Sequence, residues 1–538
     1  MKAIVLNQVG YSKNAKKKAV LNFKAETVNL VGNEGIVKLS LKHFGTDEIS
    51  GEDTYIADFS KVKEEGTYYV EADGVKSATF DISEKPYEKL MRDLLKCYYY
   101  LRCGCGLDQK FAGAYKHGKC HTKLAHVLGD ESKVVDVTGG WHDAGDYGRY
   151  TTAGSVAVAH LLYAVKMNPD LLKVEFDIPK SNLPDLLEEV KVELEFLMKM
   201  QREDGAAWHK VTTMRHADFI MPEDDHGDLY LFAVSSIATA DLAAVCALAS
   251  TIYAKYDIAF SDILMSKANK AYKWLVENPD ELLFRNPETS NTGEYDEAED
   301  ISNRFWAAAA MYDATKDEQF KKEMNKQKDR LIEFDKNLKG KPYYGSVFTC
   351  MGWAEVAGLG AISVLLADED DDFTKKLKKD FVKEADRLVN NASKNGYGLC
   401  MEARDFIWGS NMELGKYLMI LTIANRISEK KEYVDTIRAG FDYLLGCNAM
   451  DVSYVTQNGE KAYMNPHLRP TAVDNIELPW EGLVSGGPNR GLQDEKAREL
   501  PKNTPPMKCY IDDVACYSLN EITIYWNSPF VFALASLK

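Results

Sequence analysis

The stretch AVSSIATADLAAVCALAS, residues 233–250, decides the fold class. Its apolar residues recur at helical spacing, and more than half of it is alanine or serine. Side chains this small let neighbouring helices approach closely. AEVAGLGAISVLLA (354–367) has the same texture. By apolar three-four spacing, further helices are predicted near 88–102, 151–167, 183–202, 230–256, 262–277, 299–314, 316–334, 352–367, 371–391, 410–428, 430–446 and 518–537. Helices in that number, separated by long polar and aromatic loops, predict helix pairs around a centre, with the loops at one end forming a cleft. The plainer alternative on pattern alone is an irregular helical domain.

Residues 1–84 read differently. Short β-like runs (AIVLN, KAVLNF, VKLSLKHF, TYYVEAD, SATFDIS) alternate with the turn signals NEG, GTDE and EEG. Several short strands at close spacing predict a small immunoglobulin-like sandwich over 1–84. No tryptophan precedes Trp141, so the sandwich is read as structural support and not as a sugar-binding module. SEKPYEKL (83–90) is the junction, and 85–538 is the helical domain. Two domains suit 538 residues, which is more than one simple core usually carries.

Composition narrows the function classes. The chain is 45% hydrophobic and 28% charged, the balance of a soluble globular protein. A net charge of −16 argues against a phosphate-binding surface, so no nucleic-acid partner is expected. The N-terminal apolar run AIVL is too short for a signal-peptide core, and no run of 18 apolar residues predicts a membrane span. The initiator Met favours a cytoplasmic chain over a secreted one whose leader has been removed. In a reducing compartment the ten cysteines are thiols or metal ligands. Cys97, Cys246 and Cys350 lie in apolar surroundings and are read as plain buried residues.

Three stretches carry chemistry. GGWHDAGDYGRY (139–150) sets Asp143 and Asp146 three apart, with His142 beside the first. Two carboxylates on one turn can bind a metal, activate water or cap the helix predicted next. In YIDDVACYSLNEITIYWNSPFVFALA (510–535), Glu521 is expected to open an apolar helix, with Asp512 and Asp513 before it. Apolar neighbours raise a carboxyl pKa, which suits a general acid. One protonated carboxyl and one ionised carboxylate make the apparatus of glycoside hydrolysis. In YLRCGCGLDQKFAGAYKHGKCHTK (100–123), Cys103, Cys105, Cys120 and His121 join His142 in offering two cysteines and two histidines with a thiol spare. That is a zinc-type donor set. Its spacing is not that of a zinc finger, so reduced thiols with surface histidines stand as the alternative.

The first two stretches resemble the signature segments of glycoside hydrolase family 9, a cellulase family. The first signature centres on Asp-Ala-Gly-Asp. The second runs through Tyr510, Asp512, Tyr517, Glu521, Thr523, Asn527 and Ser528. SYVTQNGEKAYMNPHLRPT (453–471) resembles the family's histidine-arginine substrate loop, and GLVSGGPNRGLQD (482–494) and FIWGSN (406–411) are also similar. VLNQVGY resembles the immunoglobulin-like domain that precedes many members. The resemblance covers about 88–538 and implies an (α/α)6 barrel there. It implies Glu521 as the general acid, Asp146 as the base that deprotonates water, and Asp143 as the residue that helps hold that water. It also implies inversion at the anomeric carbon, which needs carboxyls far enough apart to admit a water. His467 and Arg469 match sugar-binding positions. The family often has two adjacent histidines there, whereas this chain has His467 and then Leu468, so one polar contact is expected to be lost or apolar.

The resemblance also bears on metals. Members with the immunoglobulin-like domain often carry zinc on a Cys, Cys-His and His set. That implies a structural zinc on Cys103, Cys120, His121 and His142, with Cys103 preferred to Cys105 because it follows the tyrosine-rich helix end. Zinc on His142 would fix the backbone of Asp143. Calcium is common in the family, but this chain has Ser302 and Asn303 where members place Asp-Glu, and Glu355 where they place an aspartate. Glu297, Glu299 and Asp300 could still supply oxygen ligands, or simply line a helix N-terminus, so calcium is left open. No organic cofactor is expected.

Aromatic rings stack on sugar faces, so Trp208, Trp408, Tyr517 and Trp526 are expected substrate contacts, although large aromatics also fill cores. WHKVTT (208–213) and MPEDDHGDLY (221–230) are read as a long loop near the cleft, with Asp224, Asp225 and His226 as sugar contacts. The expected substrate is a soluble cellodextrin or β-glucan, cut by a cellodextrinase or endoglucanase acting as a monomer or weak homo-oligomer. Competing readings are an exo-acting β-glucosidase or glucosaminidase, a phosphorylase, and a non-catalytic sugar-binding protein. The last predicts loss of Asp143, Asp146 or Glu521, and all three are present. A carboxylate pair that positions water speaks against phosphorolysis.

Overall fold

Helices buried on every side alternate with helices buried on one side, and small residues permit the first kind. A computed structural model describes residues 2–33 and 35–537. Met1, behind the expectation of a cytoplasmic chain, lies outside them. The chain forms two compact units, one of residues 1–97 and 385–538 and one of residues 98–384.

In the unit of residues 98–384, Thr151–Met167, Ser236–Tyr253, Ile301–Thr315 and Ala357–Ala367 are buried along most of their length. Asp185–Lys199, Ile258–Glu277 and Glu318–Asn337 bury one face and leave the other to solvent. Ser236–Tyr253 packs against Thr151–Met167, Ile258–Glu277 and Ile301–Thr315. By length and mean hydropathy this helix could cross a membrane, but 94% of it is buried inside the protein. Its apolar surface is used up in helix packing. Gly360 shows why size matters, since a Cβ there would lie 2.7 Å from the Phe305 ring and 3.0 Å from the Cα of Trp306. Several polar groups among these helices pair with one another. The Trp306 indole N–H donates to Tyr163 Oη at 3.0 Å, which bonds Ser363 Oγ at 2.6 Å. Ser235, Asp257 and Asp317 each accept a backbone N–H at a helix start.

In the other unit, residues 4–83 form two sheets. One has the order Ile4–Val5, Lys18–Leu21, Glu52–Asp58, Leu41–Asp47. The second has the order Gly10–Ser12, Phe80–Ser83, Gly66–Ala72, Val28–Gly32, Gly35–Lys38. The pairing is antiparallel apart from that of Gly10–Ser12 with Phe80–Ser83. Tyr11 packs edge-on against Phe59 and Phe80 in the core, at 5.5 and 5.4 Å. The immunoglobulin-like sandwich ends with Ser83, and the first helix is Glu88–Tyr100. Ser410–Ile427 and Ile524–Leu534 are the buried helices here, and Ser410–Ile427 packs on Ile524–Leu534 and Lys431–Leu444.

Three predicted boundaries move, each because of a distant partner. WHKVTT is not loop, since Ala207–Trp208 pairs with Val234–Ser235 and Lys210–Thr212 pairs with Tyr230–Leu231. The same pairing delays the helix predicted from 230 until Ser236. The C-terminal helix is split into Tyr517–Asn520 and Ile524–Leu534. Glu521 therefore does not open a helix. It is extended between the two pieces, where its carbonyl accepts from Gly486 N at 2.9 Å and its backbone bridges His467.

Buried polar bonds join the sandwich to the helices of its own unit. Asn7 Nδ2 donates to Asp442 Oδ1 at 2.9 Å, Lys18 Nζ donates to the Gly396 carbonyl at 2.8 Å, and Tyr397 Oη donates to Glu52 at 2.7 Å. Burial pushes the Asp442 carboxyl up to about 7 from its ordinary 3.8. A carboxyl raised in the folded state contributes stability that is complete below about pH 4 and lost as pH rises through about 7. The melting temperature of the wild type should therefore fall between about pH 4 and 7 and level off above that. Asp442→Asn keeps an acceptor for Asn7 and should make that fall shallower. An identical slope in both proteins would clear Asp442 of the effect.

Candidate active site

The turn 139–150 is held from behind by a neighbouring strand. Trp141 bridges Arg102 in antiparallel fashion, with Cys103 N donating to the Gly140 carbonyl and His142 N to the Leu101 carbonyl, both at 2.7 Å. This register sets Cys103 beside His142. Trp141 is locked twice more, its backbone N–H to Glu193 at 2.7 Å and its indole N–H to Glu189 at 2.9 Å. Gly140 has φ +79°, and a Cβ there would lie 2.6 Å from the Phe196 ring. The sequence needs glycine at that point.

Asp143 and Asp146 leave this frame on a tight turn. Asp143 N donates to the Gly148 carbonyl, and Gly148 N donates to Asp146 Oδ2, both at 3.0 Å. The Tyr150 hydroxyl donates to the same Asp146 oxygen at 3.3 Å. A Cβ on Gly148 would come within 2.6 Å of the Tyr150 ring and 2.8 Å of that oxygen. Asp146 does not cap the following helix, whose N-cap is Tyr150 with no side-chain cap bond. Asp143 is buried, with Oδ2 accepting from the Tyr295 hydroxyl and Oδ1 lacking a protein partner. Burial pushes its carboxyl well above the usual range; the Tyr295 bond opposes this and the charge of Asp146 adds to it. A cavity of about 220 Å³ opens beside Asp146, lined also by Tyr147, Thr212, Thr213 and His216. His216 Nδ1 lies 3.4 Å from Asp146 Oδ2. Neither His216 nor Tyr295 was expected from sequence. Both sit on loops with no periodicity, and only their residue types offered a signal.

Cys103, Cys120, His121 and His142 are all buried, and their ligand atoms lie within 4.8 Å of one another. Cys105 stays outside the cluster. His142 Nε2 is 3.3 Å from His121 Nδ1 and 3.9 Å from Cys120 Sγ. A tetrahedron with bonds of about 2.0–2.3 Å has edges of roughly 3.3–3.8 Å. Asp225 takes the outer nitrogen of His121 at 3.2 Å, which turns Nδ1 inward. Asp225, expected as a sugar contact, thus orients His121 and also lines the cavity beside Asp146. Burial opposes protonation of His121, yet Asp225 and the Cys103 sulfur push it up to about 9. Burial likewise opposes the Cys103 thiolate, but Cys120, Arg149 and His142 hold its pKa well below that of a free thiol.

Glu521 lies in the other unit. His467 N donates to the Asn520 carbonyl at 2.9 Å, which brings the 453–471 loop alongside. The Tyr517 ring sits 5.2 Å from Trp408 and 5.9 Å from His467. Asp512 accepts backbone N–H groups from Met464 and Asn465 at 2.7 and 2.9 Å, and so holds the approach to His467. Asn527 accepts from Val484 N at 3.1 Å and donates to the Gly482 carbonyl at 2.6 Å. Arg469 is buried at the start of Arg469–Val473.

Comparison with known proteins gives these arrangements a family. Residues 87–534 match Glycosyl hydrolase family 9, and residues 1–77 match the Cellulase N-terminal ig-like domain. The chain belongs to glycoside hydrolase family 9. It is 62% identical to a cellodextrinase of Butyrivibrio fibrisolvens over the full length of both. A solved structure of AaCel9A in complex with cellobiose-like isofagomine superposes with a TM-score of 0.89 at 34% identity, covering 99% of each chain. A Zn-binding triple mutant of the family 9 endoglucanase J30 gives 0.89 at 30% identity, covering 98% of this chain and 99% of that one.

In this family 9 chain Asp512 and Asn527 of the second signature fix loops. The expected aromatic contacts divide. Trp408 is 41% exposed, whereas Trp208 and Trp526 are 6% and 4% exposed. Trp526 fills space against Gly409 and Gly486, where a Cβ would sit 3.0 and 2.9 Å from its ring. Trp208 lies in a strand under Thr151, whose hydroxyl donates to its carbonyl. Because Cys103 and not Cys105 joins the cluster, Cys103→Ser should lose bound divalent metal by elemental analysis and Cys105→Ser should keep it. Equal retention in both variants would exclude Cys103 as a ligand.

Proposed function

We propose that this family 9 enzyme hydrolyses β-1,4-glucosidic bonds in soluble cellodextrins with inversion. In this reading Glu521 protonates the leaving oxygen while Asp146 takes a proton from the attacking water, and Asp143 holds that water. The observation that carries the reading is the Asp143–Asp146 turn. One Asp143 oxygen has no protein partner, Asp146 borders a cavity, and neither carboxylate is used as a helix cap. The 62% identity to a cellodextrinase over its full length and the similarity to a structure in complex with cellobiose-like isofagomine support the substrate class. Trp408, Tyr517, His467 and Arg469 serve as sugar contacts.

The buried Cys2His2 set fits zinc in donor type and spacing. Zinc there would cross-link residues 103, 120–121 and 142 and so hold Asp143 through its neighbour His142. A second cation is part of the proposal. Both oxygens of Glu297 and Oδ2 of Asp241 are buried without a hydrogen-bond partner. Burial raises Glu297 well above the usual range, and the charges of Asp241, Glu299 and Glu355 add to it. Glu299 itself accepts Ser302 N, and Asp300 pairs with Arg304 at 2.7 Å. Glu297 and Asp241 therefore supply the oxygens that suit calcium.

With cellotetraose in phosphate-free buffer, the first new anomeric signal by NMR should be the α-anomer. First appearance of the β-anomer, or a need for phosphate, would sink the reading. Glu521→Gln should lower kcat roughly 10²- to 10⁴-fold, the usual worth of a general acid. A hydrogen bond to a charged group contributes about 1.5–3 kcal/mol, so Tyr295→Phe should lower kcat roughly 10- to 100-fold without changing metal content. A chelator selective for calcium over zinc should lower the melting temperature of the wild type but not of Glu297→Gln.

A further inference from the structure

Lys210 is a buried cation that the reaction scheme above leaves without a role. It lies on Lys210–Thr212, directly across the strand pair from Tyr150. It is 0% exposed. Its ammonium spends its three N–H groups on one loop: Asn286 Oδ1 at 2.7 Å, Thr292 Oγ1 at 2.9 Å and the Gly293 carbonyl at 2.5 Å. The rings of Phe232, Phe284 and Tyr150 surround it at 4.4, 5.5 and 5.6 Å. All three hydrogen-bond acceptors are neutral. The carboxylates that act on it through space are Asp146 and Glu294.

A buried cation without a contacting anion is costly, and a neutral donor could satisfy the same acceptors. Its placement suggests why a charge is kept. The tethered loop runs straight into Tyr295, whose hydroxyl donates to Asp143. Glu294 Oε1 accepts from Asn286 N at 2.7 Å and closes that loop. The Tyr295 ring packs 4.8 Å from Tyr150, whose hydroxyl donates to Asp146. A Cβ on Gly293 would lie 3.1 Å from that same hydroxyl, so the loop rests against it. One ammonium thus tethers the loop that leads to Tyr295 and lies 5.6 Å from the Tyr150 ring, and these two tyrosines bond Asp143 and Asp146. Burial pulls the Lys210 pKa down to about 7, and the negative charge of Asp146 works in the opposite direction. That coupling is mutual.

We propose that Lys210 is a positioning residue for the catalytic pair: it tethers the loop that places Tyr295 on Asp143, and its charge favours the ionised form of Asp146. The proposal rests on Asp146 being the base. The other titratable groups facing Asp146 are His216, Asp143 and Tyr150, with His121 and Asp225 on the same cavity. All of them remain in the variants that follow.

The experiment measures kcat and KM for cellotetraose against pH, with melting temperature and zinc content, on the full chain. Lys210→Met removes tether and charge. It should lower kcat about 50-fold, leave KM within about twofold, and move the acid limb of kcat/KM to higher pH. Asn286→Asp keeps an acceptor for Lys210 and offsets its charge, while losing the N–H that Asn286 gives the Thr292 carbonyl at 2.7 Å, so it should move the acid limb in the same direction with a modestly lower melting temperature. It also covers the case in which Lys210→Met does not fold. Thr292→Val loosens the tether alone and should lower kcat several-fold with the acid limb in place. If Asn286→Asp folds with a wild-type acid limb while Asp146→Asn is inactive, the Lys210 proposal fails and the hydrolytic reading stands. If Asp146→Asn keeps full turnover, both fall.

Discussion

The short antiparallel bridge between residues 101–103 and 140–142 is the constraint on which the Asp143–Asp146 turn depends. Its two backbone bonds put Cys103 next to His142 and leave Asp143 as the next residue along. Glu193 and Glu189 hold Trp141 from the other side. The turn can then be tight, because its entry is fixed on both edges before the carboxylates begin. A carboxylate carried by a free loop would lose orientation with every loop fluctuation. Here the metal-type side chains, the buried tryptophan and the aspartates share one piece of backbone.

The same economy appears in the helices. Alanine, serine and glycine give up side-chain packing area so that backbones can approach, as Gly360 does against Phe305 and Trp306. What they give up is recovered by large residues on the partners. Trp306, Tyr163 and Ser363 are paired across helices inside this packing, and the sandwich is joined to its unit by the same device at Asn7, Lys18 and Glu52. Paired polar groups specify which surfaces meet, whereas apolar contact alone tolerates sliding.

Legibility in the sequence followed the range of the interaction. Helices such as Thr151–Met167 and Ser410–Ile427 were readable to within a residue, because their periodicity is local. The break at Glu521 was not, because it is imposed by Gly486 and His467, dozens of residues away. Ala207–Trp208 and Lys210–Thr212 looked like loop, since strands of two or three residues owe their existence to partners and carry no pattern of their own. The Asp143–Asp146 turn and the Cys-His set were legible as residue types. The choice of Cys103 over Cys105 came from family resemblance and not from spacing. Tyr295, His216 and Lys210 were invisible: a tyrosine and a histidine on loops, and a lysine whose burial no one-dimensional pattern reports. Tryptophan misled in the opposite sense. Of the three expected to stack on sugar, Trp208 and Trp526 are buried.

The division of the chain into units has a consequence for synthesis. Residues 1–97 belong with 385–538, so this unit is completed only after the residues of the other unit, 98–384, have been made. The sandwich can close on its own core early. Its outer polar groups, Asn7 and Lys18 among them, then stay hydrated until Gly396 and Asp442 have been translated. At roughly 5–20 residues per second that wait is on the order of half a minute or more. The intervening unit has time to fold as an insertion, and the N-terminal domain serves as a template already in place when the C-terminal helices arrive.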